Sequence, residues 1–159
     1  MKRATSLALP AGIGVVAGLR SMTAPAVVAW AAKRRLIRIG NSSMISLAVG
    51  TLSAKAVNLA ITELLVDKLP LVPDRTRPGP MAVRALSGAA CGAAVSSVLR
   101  RPAWEGAAAG AAGALAGALV GHYARTRARR RMSGIAAGLI EDAFAIGLAA
   151  AIIWQTSRQ

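Results

Sequence analysis

The chain has 159 residues, of which 55% are hydrophobic and only 16% charged, with a mean hydropathy of +0.51 and a formal net charge of +14. The apolar content excludes a disordered chain, and one Cys with one His excludes a disulfide scaffold and argues strongly against a Cys/His zinc site. A nucleic-acid binder accounts for the charge but not for the apolar runs, whereas a polytopic membrane protein with its charges in the loops accounts for both.

Five stretches approach the roughly 20 residues needed to cross about 30 Å of hydrocarbon. The first runs from about Ser6 to Ala32 and contains Pro10, Arg20 and Pro25, so it reads as two helical pieces broken near Arg20-Ser21-Met22-Thr23. Lys2 and Arg3 before the apolar Leu7–Leu19 stretch also fit a signal peptide. The resumed apolar pattern from Ala24 to Ala32 favours a retained span. The second stretch runs from about Ser43 to Val66, the third from Met81 to Leu99, the fourth from Gly106 to Tyr123 and the fifth from Ser133 to Trp154. The expected fold is an all-α transmembrane bundle of about five spans, residues 1–159 forming one integral membrane domain, with four spans as the alternative count.

The connections are short and basic. The first holds Lys33, Arg34, Arg35 and Arg38; the second is stiffened by Pro70, Pro73, Pro78 and Pro80. The third is Arg100 to Glu105, and the fourth carries Arg125, Arg127, Arg129, Arg130 and Arg131. Beside a membrane span, that last cluster reads as contacts to anionic lipid headgroups, each worth around 1 kcal/mol, in preference to nucleic acid. Trp30, Trp104 and Trp154 fall near span ends, where amphipathic rings anchor. With five single crossings, the N-terminal tail shares a side with the second and fourth loops. Basic residues then divide eleven to seven in favour of a cytoplasmic N-terminus and an external C-terminus.

Small residues recur at four-residue spacing. On the fourth span Gly113, Gly117 and Gly121 share one face and Gly106 and Gly110 a neighbouring one; Gly14/Gly18, Gly88/Gly92 and Gly134/Gly138 repeat the pattern elsewhere. Such faces let helix backbones approach closely in lipid. They serve packing inside one bundle, or a homo-oligomer interface.

The acids carry more information. Glu141 and Asp142 sit near the middle of the fifth span, while Glu63 and Asp67 share a face of the second, with Lys55 and Asn58 further back. An intramembrane charge costs roughly 2.5–3.5 kcal/mol on insertion scales. Adjacent Glu141 and Asp142 diverge by about 100° on a helix, so each needs its own partner or a proton. Arg20, Lys55 and Arg84 are the available cations, an Arg20–Glu141 bridge being one arrangement. Acids meeting at a wet cavity suit an ion or proton pathway; acids paired dry with arginine suit a structural role. Leu64–Leu69 can also be laid on Leu139–Phe144, which suggests inverted halves 6–67 and 105–155, with chance similarity of two short apolar strings as the rival explanation.

Gly18-Leu19-Arg20-Ser21-Met22-Thr23-Ala24-Pro25, Glu63-Leu64-Leu65-Val66-Asp67-Lys68-Leu69-Pro70, Arg75-Thr76, Arg84 with Ser87-Gly88, the Gly/Ala fourth span and Glu141-Asp142-Ala143-Phe144-Ala145-Ile146-Gly147 stand in that order. Together they resemble the bacterial membrane-protein family named domain of unknown function 4126, over nearly the whole chain; Lys55 is no part of that pattern. The resemblance implies a multi-span protein of the bacterial inner membrane and supplies no activity, substrate or cofactor.

From the residues, the expected function is a cation- or proton-coupled transporter or channel using Glu63, Asp67, Glu141, Asp142, Arg20 and Arg84. The alternative is an assembly protein built on glycine faces and buried salt bridges. An enzyme is not expected, since no Ser/His/Asp or Cys/His arrangement is present; Cys91 reads as packing and His122 as interfacial, and no cofactor is called for.

Overall fold

In a computed structural model, residues 2–37, 78–128 and 133–158 are described, and they are all-helical. Five helices follow in order: α1 (Lys2–Leu19), α2 (Thr23–Lys33), α3 (Pro78–Val98), α4 (Ala103–Ala128) and α5 (Gly134–Ser157). The expected second span, with Lys55, Asn58, Glu63 and Asp67, lies outside the described residues, as do Arg129, Arg130 and Arg131. Residues 38–67 of the inverted half 6–67 likewise lie outside the described residues.

Local chemistry sets the helix ends. Pro78 and Pro80 occupy the first turn of α3, where a missing N–H costs little. The Ser133 hydroxyl caps α5 by accepting from the Ala136 N–H at 3.3 Å. The ends of α2 and α3 share one device. Arg35 and Arg100 adopt left-handed backbone (φ 56° and 55°), and their N–H groups donate to Ala32 and Ser97. The next N–H in each case, from Leu36 and Arg101, donates to Ala31 and Ser96. This pair of bonds closes a helix end most comfortably around glycine, yet arginine holds both positions here.

Three helices meet through glycine. On α4, Gly106 and Gly110 press on Gly92 and Gly88 of the antiparallel α3, while Gly113 and Gly117 press on Ala11 and Val15 of the parallel α1. A methyl added to any of these glycines would overlap backbone or side-chain atoms of its neighbour. Gly110 stands at the junction, its carbonyl facing both Gly14 and Gly88. The two glycine rows legible in the sequence therefore serve two different neighbours within one chain, and contact at this distance gains dispersion where water gives no drive.

The packing is inverted relative to a soluble protein. The buried set is dominated by Ala, Gly and a few β-branched residues. Outside stand Leu86, Leu119, Val120, Tyr123, Ile135, Leu139, Ile140 and Phe144, each more than half exposed. An apolar surface of that extent needs a non-aqueous environment. α3, α4 and α5 are each long and apolar enough to cross a membrane, and the chain reads as a membrane-spanning protein.

One expectation changes. The first stretch is broken at Arg20 as predicted, but the two pieces do not make a single crossing. Gly12 of α1 faces Ile152 of α5, whereas Arg20 pairs with Asp142, so α1 and α5 are antiparallel. Trp30, ten residues past the break, lines a cleft with Ile153 and Trp154, at the Gly12 end of α5. The chain therefore reverses at the break. At about 17 Å, the 11-residue α2 is also too short to cross. Because α1 runs parallel to α4, the start of α1 lies at the end of the bundle that holds the α3–α4 turn and the C-terminal end of α5. The N-terminal tail thus does not share a side with the α4–α5 connection, and the eleven-to-seven division of basic residues falls with it.

Candidate functional site

The buried charges gather where the first stretch breaks. Two features of the sequence shape that break. Pro25 has no N–H, so it cannot make the helical bond to the Ser21 carbonyl four residues back. The Ser87 hydroxyl of α3 donates to that carbonyl instead, at 2.6 Å. The Thr23 N–H reaches only as far as the Arg20 carbonyl, at 3.3 Å, closing a tight turn. Arg20 is thereby held at the C-terminal end of α1, where the helix dipole favours a cation.

Arg20 is 3% exposed and pairs through its Nη2 with Oδ1 of Asp142 on α5. One residue earlier on α5, Glu141 Oε2 stands 2.6 Å from Nη2 of Arg125 on α4. The 100° divergence of consecutive helix positions is satisfied by two arginines from two different helices. The partner assignment corrects one expectation: Arg20 pairs with Asp142, and Glu141 goes to Arg125. It also moves Arg125 from the headgroup cluster into the bundle, since its side chain is only 17% exposed.

Two glycines border the outer pair. A methyl at Gly121 would crowd Leu19 at 2.8 Å and lie in ordinary contact with Glu141 Oε1, and one at Gly138 would lie in ordinary contact with Arg125 Nη2. The sequence held a signal for this, because Arg125 continues the four-residue row Gly113, Gly117, Gly121 beyond the point where that row was read as ending. Arg84 is buried on α3 one turn before Ser87, and Arg127 is exposed near the end of α4. Structure thus brings together Arg20, Asp142, Glu141 and Arg125, with Arg84 close in sequence to the Ser87 clamp. Glu63 and Asp67 lie outside the described residues.

No family model, curated protein or solved structure matches the chain. Chemical meaning must therefore come from the arrangement itself. Among the described residues no three His, Cys, Asp or Glu side chains gather as a metal site. Cys91 is buried in the core, and His122 and Tyr123 are exposed at the far end of α4. Arg20–Asp142 is buried and Arg125–Glu141 partly buried, so both ion pairs are shielded from bulk water. Such pairs resist separation, and a proton, a competing ion or a helix movement would break them.

Proposed function

We propose that the protein is a small integral membrane transporter or channel whose working element is the Arg20–Asp142 pair. The observation that carries this reading is the placement of that pair at a helix discontinuity inside the bundle. Helix ends meeting charged side chains within a membrane are a common form of ion and substrate site. A proton taken up by Asp142, or an anion drawn to Arg20, opens the pair; Glu141 and Arg125 form a second pair one residue away. The reading extends to the acids expected on the second span, Glu63 and Asp67, and to Arg84 as a further cation. It also places the chain in the bacterial cytoplasmic membrane, as a homo-oligomer with Arg127, Arg129, Arg130 and Arg131 toward anionic headgroups.

The test is flux in liposomes, read with a pH-sensitive dye and with ion-selective probes, for the wild type and for Asp142→Asn and Glu141→Gln. Loss of flux in either variant, with intact folding, supports the reading. Equal flux in wild type and both variants overturns it, as does a wild type that carries no proton or ion.

A second reading has its own support. Both described intramembrane acids are already paired with arginine, and Gly113 and Gly117 are occupied by α1 of the same chain. That suits a structural protein whose charges fix helix register. On this reading the acid-to-amide variants lower stability and change no flux.

A further inference from the structure

A cleft of about 410 Å³ opens between α2 and α5, running from Ile146, one turn past Asp142, toward the C-terminal ends of both helices. Its walls are apolar, including Val27, Trp30, Leu36, Ile146, Ala150 and Trp154. That volume lies within the roughly 300–1,000 Å³ of sites that hold small apolar ligands. Trp30 and Trp154 are both more than half exposed, although each flanks the same opening.

The rim carries opposite chemistry to the walls. Arg34 stacks over the Trp30 ring at 5.8 Å from its centroid, and Arg158 over the Trp154 ring at 4.1 Å. Each arginine follows its tryptophan by four residues, so one helical turn brings cation and ring together. The same spacing ends both helices that form the cleft. Tryptophan in a membrane protein marks the depth of the headgroups, and stacking on a ring leaves the guanidinium edge free to donate to phosphate. An apolar slot below two such arginines matches an amphiphile with a hydrocarbon chain and an anionic head.

We propose that this cleft is a binding site for an anionic phospholipid. One acyl chain lies between α2 and α5, and the phosphate is held by Arg34 and Arg158. This is separate from the headgroup contacts expected at the end of α4, which stands at the opposite end of the bundle.

The experiment uses the full chain with Trp104→Phe, which leaves Trp30 and Trp154 as the only tryptophans. The protein is reconstituted in phosphatidylcholine vesicles with a minor fraction of acyl-brominated lipid, either phosphatidylglycerol or phosphatidylcholine, and tryptophan quenching is compared. The expected result is local enrichment of the brominated phosphatidylglycerol on the order of tenfold, about 1.4 kcal/mol shared by two solvent-screened arginines. Arg34→Gln with Arg158→Gln should equalise the two lipids. Ala150→Phe, which fills the cleft and keeps both arginines, should reduce quenching by phosphatidylglycerol. Equal quenching by the two lipids before any arginine is changed overturns the proposal. So does a preference that survives the double arginine variant, or quenching unmoved by Ala150→Phe.

Discussion

Adding one methyl group at Gly110 tests the glycine junction directly. In Gly110→Ala the new carbon would overlap the Gly88 carbonyl oxygen and stand 2.9 Å from the Gly88 carbonyl carbon and 3.1 Å from the Gly92 Cα. Carbon atoms rest at about 3.5–4.0 Å, so α3 and α4 must part by roughly 0.6–1 Å. A gap of that size forfeits a quarter to a half of each contact's well. Taking roughly 20–40 close atom pairs across the interface at 0.1–0.2 kcal/mol each, the loss spans about 0.5–4 kcal/mol and centres at about 2 kcal/mol, within the usual range for overpacking. For a chain of this length about 2 kcal/mol corresponds to a fall of roughly 4–8 °C in Tm. Thermal stability in detergent, read as loss of monodisperse elution after heating, measures it. Gly147→Ala is the control, because nothing lies within 4 Å of the added carbon. It should match or exceed the wild type, since glycine inside a helix is weaker than alanine by roughly 0.5–1 kcal/mol. A Gly110→Ala protein as stable as the wild type would refute the packing argument, as would a Gly147→Ala protein equally damaged.

Other outcomes follow from the charges and the caps. Asp142→Asn removes the carboxylate that Arg20 meets on α5 and should cost about 3–5 kcal/mol, with much of that restored when Arg20→Gln is added; a double-mutant cycle in detergent measures the coupling. Glu141→Gln should cost less, on the order of 1 kcal/mol, because Arg125 lies nearer the helix end and is more exposed; a loss equal to that of Asp142→Asn would contradict this. Ser87→Ala removes the donor to the Ser21 carbonyl and should lower stability by about 1 kcal/mol in the same denaturation assay. Arg100→Gly should raise stability by about 1 kcal/mol, because glycine adopts the left-handed turn without the Cβ penalty; a lower midpoint would show that the arginine side chain contributes more than its backbone costs.

Helices, breaks and glycine faces were legible in the sequence because each is a local pattern. Pro25 and Arg20 mark the discontinuity, and four-residue glycine spacing marks the two rows of α4. The direction taken after the break was not legible. A straight continuation and a reversal bury the same residues in the same order, and the cleft that Trp30 lines together with Ile153 and Trp154 separates them. Partner choice was half legible. Divergent positions on one helix required two cations, but Arg125 read as a loop residue because the basic run that follows it masked the end of α4. The repeated Trp-to-Arg spacing at Trp30/Arg34 and Trp154/Arg158 was present in the sequence and gains meaning only when the two helix ends come together.

The glycine junction also limits how the protein can move. Gly110 faces Gly14 on one side and Gly88 on the other, so α4 cannot slide along α1 without colliding with α3. These three helices therefore act as one mechanical body. Both ion pairs run from that body to α5: one from the end of α1, the other from α4. Among the described helices, a rearrangement that preserves the glycine contacts chiefly displaces α5, with or without α2. Arg20–Asp142 and Arg125–Glu141 are then two latches on α5, and opening one leaves the other in place.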